Sequence, residues 1–121
     1  MIKLLHVEDD ADIREIVKLS LELRDEFEVV QCSSGPDALS CLETFTPDVI
    51  LLDMMMPGMT GKEALSLMRE RPHVKDTPAI FMTARAQSSQ LEELRAAGAA
   101  EVISKPFDPM TLGDQIKSTM G

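Results

Sequence analysis

Short apolar runs alternate along the chain with segments of helical periodicity, and this alternation constrains the fold more than any other feature of the sequence. The apolar runs lie at residues 4–7, 27–32, 49–52, 79–82 and 102–103. Each is followed by apolar residues three or four positions apart, a spacing typical of an amphipathic helix. Strands and helices that alternate in one short chain require parallel pairing and right-handed crossovers. The sequence therefore predicts an α/β fold, a doubly wound five-stranded parallel sheet with helices on both faces.

Capping and breaking residues predict several helix boundaries. Asp9 or Asp10 is placed to cap the first helix. The apolar positions of the second helix predict that it ends near Thr46, and Gly98 closes the fourth helix. Gly113 falls inside the predicted last helix, where a glycine costs about 1 kcal/mol relative to alanine.

The composition limits the chain to one domain and excludes several classes of function. A length of 121 residues predicts a single domain, 1–121, and 44% hydrophobic residues suffice for one core. The formal net charge of −9 opposes direct binding to nucleic acid or anionic lipid. Cys32 and Cys41 are too few for a disulfide framework or a zinc site, and no stretch is long and apolar enough for a signal peptide or a membrane span. We therefore expect a cytoplasmic protein without membrane insertion.

Polar residues capable of chemistry follow four of the predicted strands. In chain order they are Glu8, Asp9 and Asp10 after the first strand, Asp53 after the third, Thr83 after the fourth and Lys105 after the fifth. Each alone has an ordinary explanation as a helix cap, a turn residue or a surface residue. In a doubly wound sheet, however, the ligand site lies outside the carboxyl ends of the strands. The convergence of these side chains on one edge therefore favours a functional site.

The expected cluster suits a cation and a phosphoryl group. Crowded carboxylates resist joint ionisation unless a cation joins them, and oxygen ligands in a half-open site favour Mg²⁺. Lys105 adds a positive charge and the Thr83 hydroxyl a hydrogen-bond donor, which suits an anionic, tetrahedral guest. A carboxylate beside a metal ion and a lysine can act as a nucleophile towards phosphorus.

Four sequence motifs occupy the predicted strand ends. They are His-Val-Glu-Asp-Asp at 6–10, Leu-Leu-Asp-Met-Met-Met-Pro-Gly-Met-Thr-Gly at 51–61, Met-Thr-Ala-Arg at 82–85 and Ser-Lys-Pro-Phe at 104–107. In this order and at these intervals they resemble the receiver domain of two-component response regulators, along essentially the whole chain. The resemblance implies a flavodoxin-like strand order of 2-1-3-4-5. It also implies partners: a sensor histidine kinase or histidine phosphotransfer protein as phosphohistidine donor, and a downstream effector protein.

The same resemblance implies a magnesium site and a phosphorylation site. The metal residues are Glu8, Asp9, Asp53 and Met55, of which Asp9 binds directly, Glu8 through a water and Met55 through its backbone carbonyl. Asp53 accepts the phosphoryl group. Such a protein catalyses its own phosphorylation and dephosphorylation, so we expect no separate substrate and no enzyme in the usual sense.

The remaining site residues follow from the resemblance in the same way. Thr83 and the amide of Ala84 contact the phosphoryl oxygens, and Lys105 pairs with Asp53 or its phosphate. Asp53, Thr83 and Lys105 form the catalytic set. The Lys105–Pro106 bond is expected to be cis.

Two positions depart from the family pattern. Val102 stands where these domains commonly place a tyrosine or phenylalanine, and the chain contains no tyrosine. Because valine is stiff at χ1, we hypothesise that residues 84–90 form the switching segment and that Val102 serves only as packing. His6 stands in the first strand, and we expect it to be a core residue rather than a catalyst.

The sequence argues against three other functions, of which an aspartyl-phosphate-forming hydrolase is the main alternative. An aspartyl-phosphate-forming hydrolase uses similar groups, but it typically has a second acid two residues after the nucleophile, where this chain has Met55. A flavin carrier would need amides and hydroxyls in the first turn, which here is acidic. A soft copper site could be imagined from the methionines at positions 54, 55, 56 and 59, but methionine in a loop usually serves packing.

Overall fold

Strands and helices alternate in the computed structural model as the sequence predicts. The structure describes residues 1–23, 25–84 and 88–120, so that residues 85–87 of the hypothesised switching segment lie outside the described residues. Within the described ranges the strands are β1 (Ile2–Val7), β2 (Phe27–Cys32), β3 (Val49–Asp53), β4 (Ala79–Thr83) and β5 (Glu101–Ser104). The helices are α1 (Ala11–Glu22), α2 (Gly35–Cys41), α3 (Gly61–Met68), α4 (Ser88–Ala96) and α5 (Leu112–Thr119), with a short 3-10 helix at Pro72–Val74.

The sheet has the order β2-β1-β3-β4-β5, and every neighbouring pair is parallel. This confirms the flavodoxin-like order. The chain adds β2 on one side of β1 and then crosses to add β3 on the other, so the strand order reverses between β1 and β3. Val7 pairs in register with Leu52. Glu8 and Asp53 are the next residues after this pair, and they therefore stand at the switch point where such sheets bind ligands.

Two apolar layers pack against the sheet, one on each face. Successive side chains of a strand point to opposite faces, so Leu5, Ile50 and Phe81 pack beneath α2, α3 and α4. Leu4 and Leu51 pack instead beneath α1 and α5. All five residues of β3 are buried, as its continuous apolar run predicts. No helix in the described part of the chain combines the length and the apolar character needed to cross a membrane.

Side-chain caps fix the starts of α1 and α3, two of the helices that begin at the carboxyl edge. Asp10 Oδ1 accepts hydrogen bonds from the backbone N–H groups of Asp12 at 2.9 Å and Ile13 at 3.3 Å. The helix α1 therefore begins directly after the acidic turn, residues 8–10. Thr60 and Glu63 form a reciprocal capping box at the start of α3. These bonds set where each helix leaves the edge that carries Glu8 and Asp53.

Two predicted helix details are wrong. The regular part of α2 ends at Cys41 rather than near Thr46. The N–H groups of Glu43 and Thr44 donate to carbonyls three residues back, at 3.1 and 3.2 Å, so the chain tightens there into shorter turns. Gly113 is the second residue of α5, where its N–H group needs no intrahelical partner, so the interior penalty does not apply.

Candidate functional site

Asp53 lies in a cleft at the carboxyl edge of the sheet. It is the last residue of β3 and only 3% exposed. It pairs in register with Met82 of β4, and the N–H group of Met54 donates to the Met82 carbonyl at 3.0 Å. Pairing with β4 therefore fixes the position of the backbone that carries the Asp53 carboxylate.

Lys105 bridges two buried carboxylates. Its Nζ donates to Glu8 Oε1 at 2.7 Å and to Asp53 Oδ1 at 2.9 Å. Its backbone N–H donates to the carbonyl of Thr83 at 2.8 Å, which ties the lysine to the end of β4. The bond from Lys105 to Pro106 is cis, as the resemblance implies.

Burial and hydrogen bonding together set the pKa values of Glu8 and Lys105. Burial, together with a hydrogen bond to Asp53, raises the pKa of Glu8 to about 8, although Lys105 opposes the shift. Burial also acts to lower the pKa of Lys105, but hydrogen bonds to Glu8 and Asp53 outweigh it and the pKa is raised. The lysine therefore stays protonated between the two carboxyl groups.

Three carboxylates at this edge form a set that fits a metal ion. Ligand oxygens of Glu8, Asp9 and Asp53 all lie within 4.8 Å of one another. Glu8 and Asp53 are buried while Asp9 is exposed, so the set is closed on the protein side and open towards solvent. An all-oxygen, half-open set suits a hard cation that keeps several water ligands, as Mg²⁺ does.

The cleft has a volume of about 260 Å³ and is lined by Glu8, Asp9, Asp10, Ile13, Asp53, Met55, Ala84 and Lys105. Since a water molecule takes up about 30 Å³, this space admits a hydrated cation together with a phosphoryl group. Met55 and Ala84, which the resemblance assigns to the metal and the phosphoryl oxygens, thus lie at the cleft. Thr83 is not among the lining residues: it is 4% exposed and ends β4 directly before Ala84.

Two residues position the site in ways that the sequence patterns did not predict. Arg14 Nη1 donates to the backbone carbonyls of Glu8 at 2.8 Å and Asp9 at 3.1 Å, and so holds the acidic turn. A Cβ on Gly61 would lie 2.4 Å from the carbonyl oxygen of Asp53, so only glycine permits this close approach. Arginine on a helix surface gives no signal of this kind. Gly61 could be recognised as a turn residue, but not as a neighbour of Asp53.

His6 is a buried neutral residue, as predicted. Gln31 Nε2 lies 3.1 Å from His6 Nδ1 and also donates to the carbonyl of Arg14 at 2.8 Å. Burial first, and then the positive charges of Lys105 and Arg14, lower the pKa of His6 to about 3. The imidazole therefore serves the packing between β1 and β2.

A family model confirms the class of protein that this fold and site define. The model of the response regulator receiver domain matches residues 4–117. The chain therefore belongs to the receiver domain family of two-component response regulators, which are signalling modules.

Three known proteins illustrate the relationship. The chain is 36% identical over 118 residues to the phosphate regulon transcriptional regulatory protein PhoB of Klebsiella pneumoniae, covering 98% of this chain and 51% of that protein. It is 41% identical over 119 residues to the transcriptional regulatory protein CseB of Streptomyces coelicolor, with 96% and 48% covered. The structure of the chemotaxis response regulator CheY4 of Vibrio cholerae has a TM-score of 0.91 at 33% identity, with 98% of both chains covered. The chain spans about half the length of the two curated relatives.

Proposed function

We propose that this protein is the phosphoacceptor of a two-component phosphorelay and that it receives the phosphoryl group on Asp53 in the presence of Mg²⁺. The observation that carries the proposal is the contact between Asp53 and Lys105, 2.9 Å long, in a cleft that also holds Glu8 and Asp9. The donor is a phosphohistidine on a sensor histidine kinase or a histidine phosphotransfer protein. The output is an altered surface that binds a downstream effector protein.

The chemistry is a transfer between a nitrogen and an oxygen. A carboxylate oxygen of Asp53 attacks phosphorus and forms the new P–O bond, while the P–N bond breaks and the donor imidazole takes up a proton. Lys105 is already in place to neutralise charge on the phosphoryl oxygens. Glu8, Asp9, Asp53 and the carbonyl of Met55 would hold Mg²⁺, which supplies further charge neutralisation when bound.

Ala84 and Thr83 complete the proposed site. Ala84 lines the cleft, and its exposed position supports a role for its amide in binding a phosphoryl oxygen. The Thr83 hydroxyl would have to reach the same oxygens from a position that is 4% exposed. Phosphorylation adds negative charge beside it, which gives a physical basis for a change of arrangement at the end of β4.

An apolar groove beside the cleft supports a protein as the phosphodonor. The groove shares Ile13, Ala84 and Lys105 with the cleft and is otherwise lined by Ile16, Pro106, Phe107 and Pro109. Ile16 is 44% exposed although it is a large apolar residue. A donor that covers this groove would bring its phosphohistidine to Asp53, so we propose the groove as the donor's docking surface.

Labelling with a small phosphodonor tests the proposal. Incubation with acetyl phosphate and Mg²⁺ is expected to add one phosphoryl group, a gain of about 80 Da in intact mass. Asp53→Asn should abolish the gain because an amide is a far poorer nucleophile than a carboxylate. The control is Asp48→Asn, the same change beside the opposite end of β3, where the carboxylate only accepts the backbone N–H of Lys3 at 2.9 Å. Stoichiometric labelling of Asp53→Asn would place the nucleophile elsewhere.

The hydrolase alternative lacks support at one residue. Such an enzyme needs a proton donor two residues after the nucleophile, and this residue is Met55, whose thioether has no proton to give. Met55 borders the cleft and is 68% exposed, so the position that would carry the general acid holds an apolar side chain. We therefore propose no separate substrate for this site.

A further inference from the structure

The fold brings together two cysteines that the sequence keeps apart. Cys32 ends β2 and Cys41 ends α2, and both are free thiols. Because α2 folds back over the end of β2, their sulfur atoms lie 2.9 Å apart. A disulfide bond is about 2.0 Å long, so the two sulfurs need to approach each other by only about 1 Å to form one.

The two thiols differ in access to solvent. Cys32 is 1% exposed, whereas Cys41 is partly exposed. Burial, and then the hydrogen bond to Cys41, raises the pKa of the Cys32 thiol, and the nearby charge of Asp37 adds to the shift. Because Cys41 is the more exposed of the two, a dissolved reagent reaches the pair through Cys41.

We propose that Cys32 and Cys41 form a site of reversible oxidative modification, which closes to an intramolecular disulfide by exchange with a low-molecular-weight disulfide. The sulfur of Cys41 attacks the reagent, so that a mixed disulfide forms and the first small thiol leaves. The sulfur of Cys32 then attacks Cys41, its proton passes to the second leaving thiolate, and the protein disulfide forms. Two protein thiols and one small disulfide thus give one protein disulfide and two small thiols.

The thiol pair is separate from the phosphoacceptor cleft but adjacent to it. Neither cysteine lines the cleft, so the reaction does not depend on the proposed phosphoryl transfer. The carbonyl of Cys32 nevertheless accepts the backbone N–H of Glu8 at 3.0 Å. This single backbone hydrogen bond would therefore link a disulfide-bonded Cys32 to Glu8 in the cleft.

Glutathione disulfide is the probe of choice because it spares methionine. Peroxide would also oxidise the exposed thioethers of Met55 and Met110, which are 68% and 71% exposed. With glutathione disulfide, the folded protein should lose about 2 Da and become inert to iodoacetamide without forming a covalent dimer, and dithiothreitol should reverse both changes.

Single cysteine variants separate the two roles. Cys32→Ser should accumulate a stable glutathione adduct on Cys41, a gain of about 305 Da, whereas Cys41→Ser should remain unmodified while folded. Cys32→Ala replaces Cys32→Ser if the buried hydroxyl prevents folding. The proposal is overturned if the wild-type protein stops at the glutathione adduct, forms a covalent dimer, or keeps both thiols under excess glutathione disulfide.

Discussion

Replacing Lys105 by methionine tests how far the buried ion pairs stabilise the cleft. Methionine keeps the apolar stem and removes the ammonium group, so Glu8 and Asp53 lose their shared partner. Their side chains are 1% and 5% exposed, and water does not replace what is lost. A hydrogen bond to a charged group contributes about 1.5–3 kcal/mol, and removing one partner of a buried ion pair costs about 3–5 kcal/mol. Because Lys105 is itself 18% exposed, we expect the free energy of unfolding to fall by about 2–4 kcal/mol.

Lys117→Met is the matched control. The Lys117 ammonium lies 3.1 Å from the carboxylate of Glu26, but both side chains are 41% exposed. An exposed pair of this kind contributes only about 0.2–1 kcal/mol after solvent screening. Urea unfolding followed by circular dichroism, in a chelator so that no divalent cation replaces the ammonium group, measures both losses on one scale. A loss in Lys105→Met no larger than that in Lys117→Met would refute the reasoning.

Two further substitutions probe the metal set and the turn after β3. Asp9→Asn should weaken Mg²⁺ binding and acetyl-phosphate labelling together, because it replaces one of the three clustered carboxyl groups by a neutral amide. An unchanged Mg²⁺ affinity by calorimetry would contradict this. Gly61→Ala should reduce labelling and cost more than about 1 kcal/mol in urea unfolding, because the new Cβ would lie 2.4 Å from the Asp53 carbonyl oxygen. Gly58→Ala is its control: with φ at +83° and nothing within 4 Å of the Cβ position, it should cost about 1–2 kcal/mol in backbone strain and leave labelling intact. Equal labelling of the two glycine variants would disprove the close-approach argument.

Much of the fold and the edge of the site could be predicted because the relevant information is local. A continuous apolar run such as 49–52 predicts a strand wherever it lies in the sheet, and a polar residue after such a run must lie at its carboxyl end. Glu8, Asp9 and Asp53 were placed on one edge in this way, and the structure brings their oxygens within 4.8 Å. The parallel topology then follows from the alternation with helices.

Contacts between distant residues could not be predicted from these patterns. Lys105 was expected to pair with Asp53, but its shorter contact is with Glu8, 97 positions away. The contacts of Arg14 and Gly61 arise only from the direction in which α1 and α3 leave the sheet, which the sequence patterns do not specify. The contact between Cys32 and Cys41 likewise arises only because α2 folds back over the end of β2.

A substitution at Val102 can show whether this side chain only packs or also takes part in switching. It lies in β5, is partly buried, and packs against the apolar layer beneath α2, α3 and α4. As a β-branched residue it is stiff at χ1 and has no large ring to move between solvent and core. Val102→Ala removes two methyl groups from a half-covered position, so we expect a loss of about 1 kcal/mol in the free energy of unfolding.

The decisive experiment on Val102 compares two quantities in the same variant: the free energy of unfolding and the NMR shifts caused by a phosphoryl mimic. Backbone NMR spectra of the wild type and of Val102→Ala are recorded with and without beryllofluoride, a mimic of the phosphoryl group. If Val102 only packs, the mimic should shift the same residues in both proteins, because the charge added beside Asp53 acts on the end of β4 without needing a side chain in β5 to move. A variant of nearly wild-type stability in which the mimic no longer shifts the end of β4 and the start of α4 would show that Val102 carries the signal.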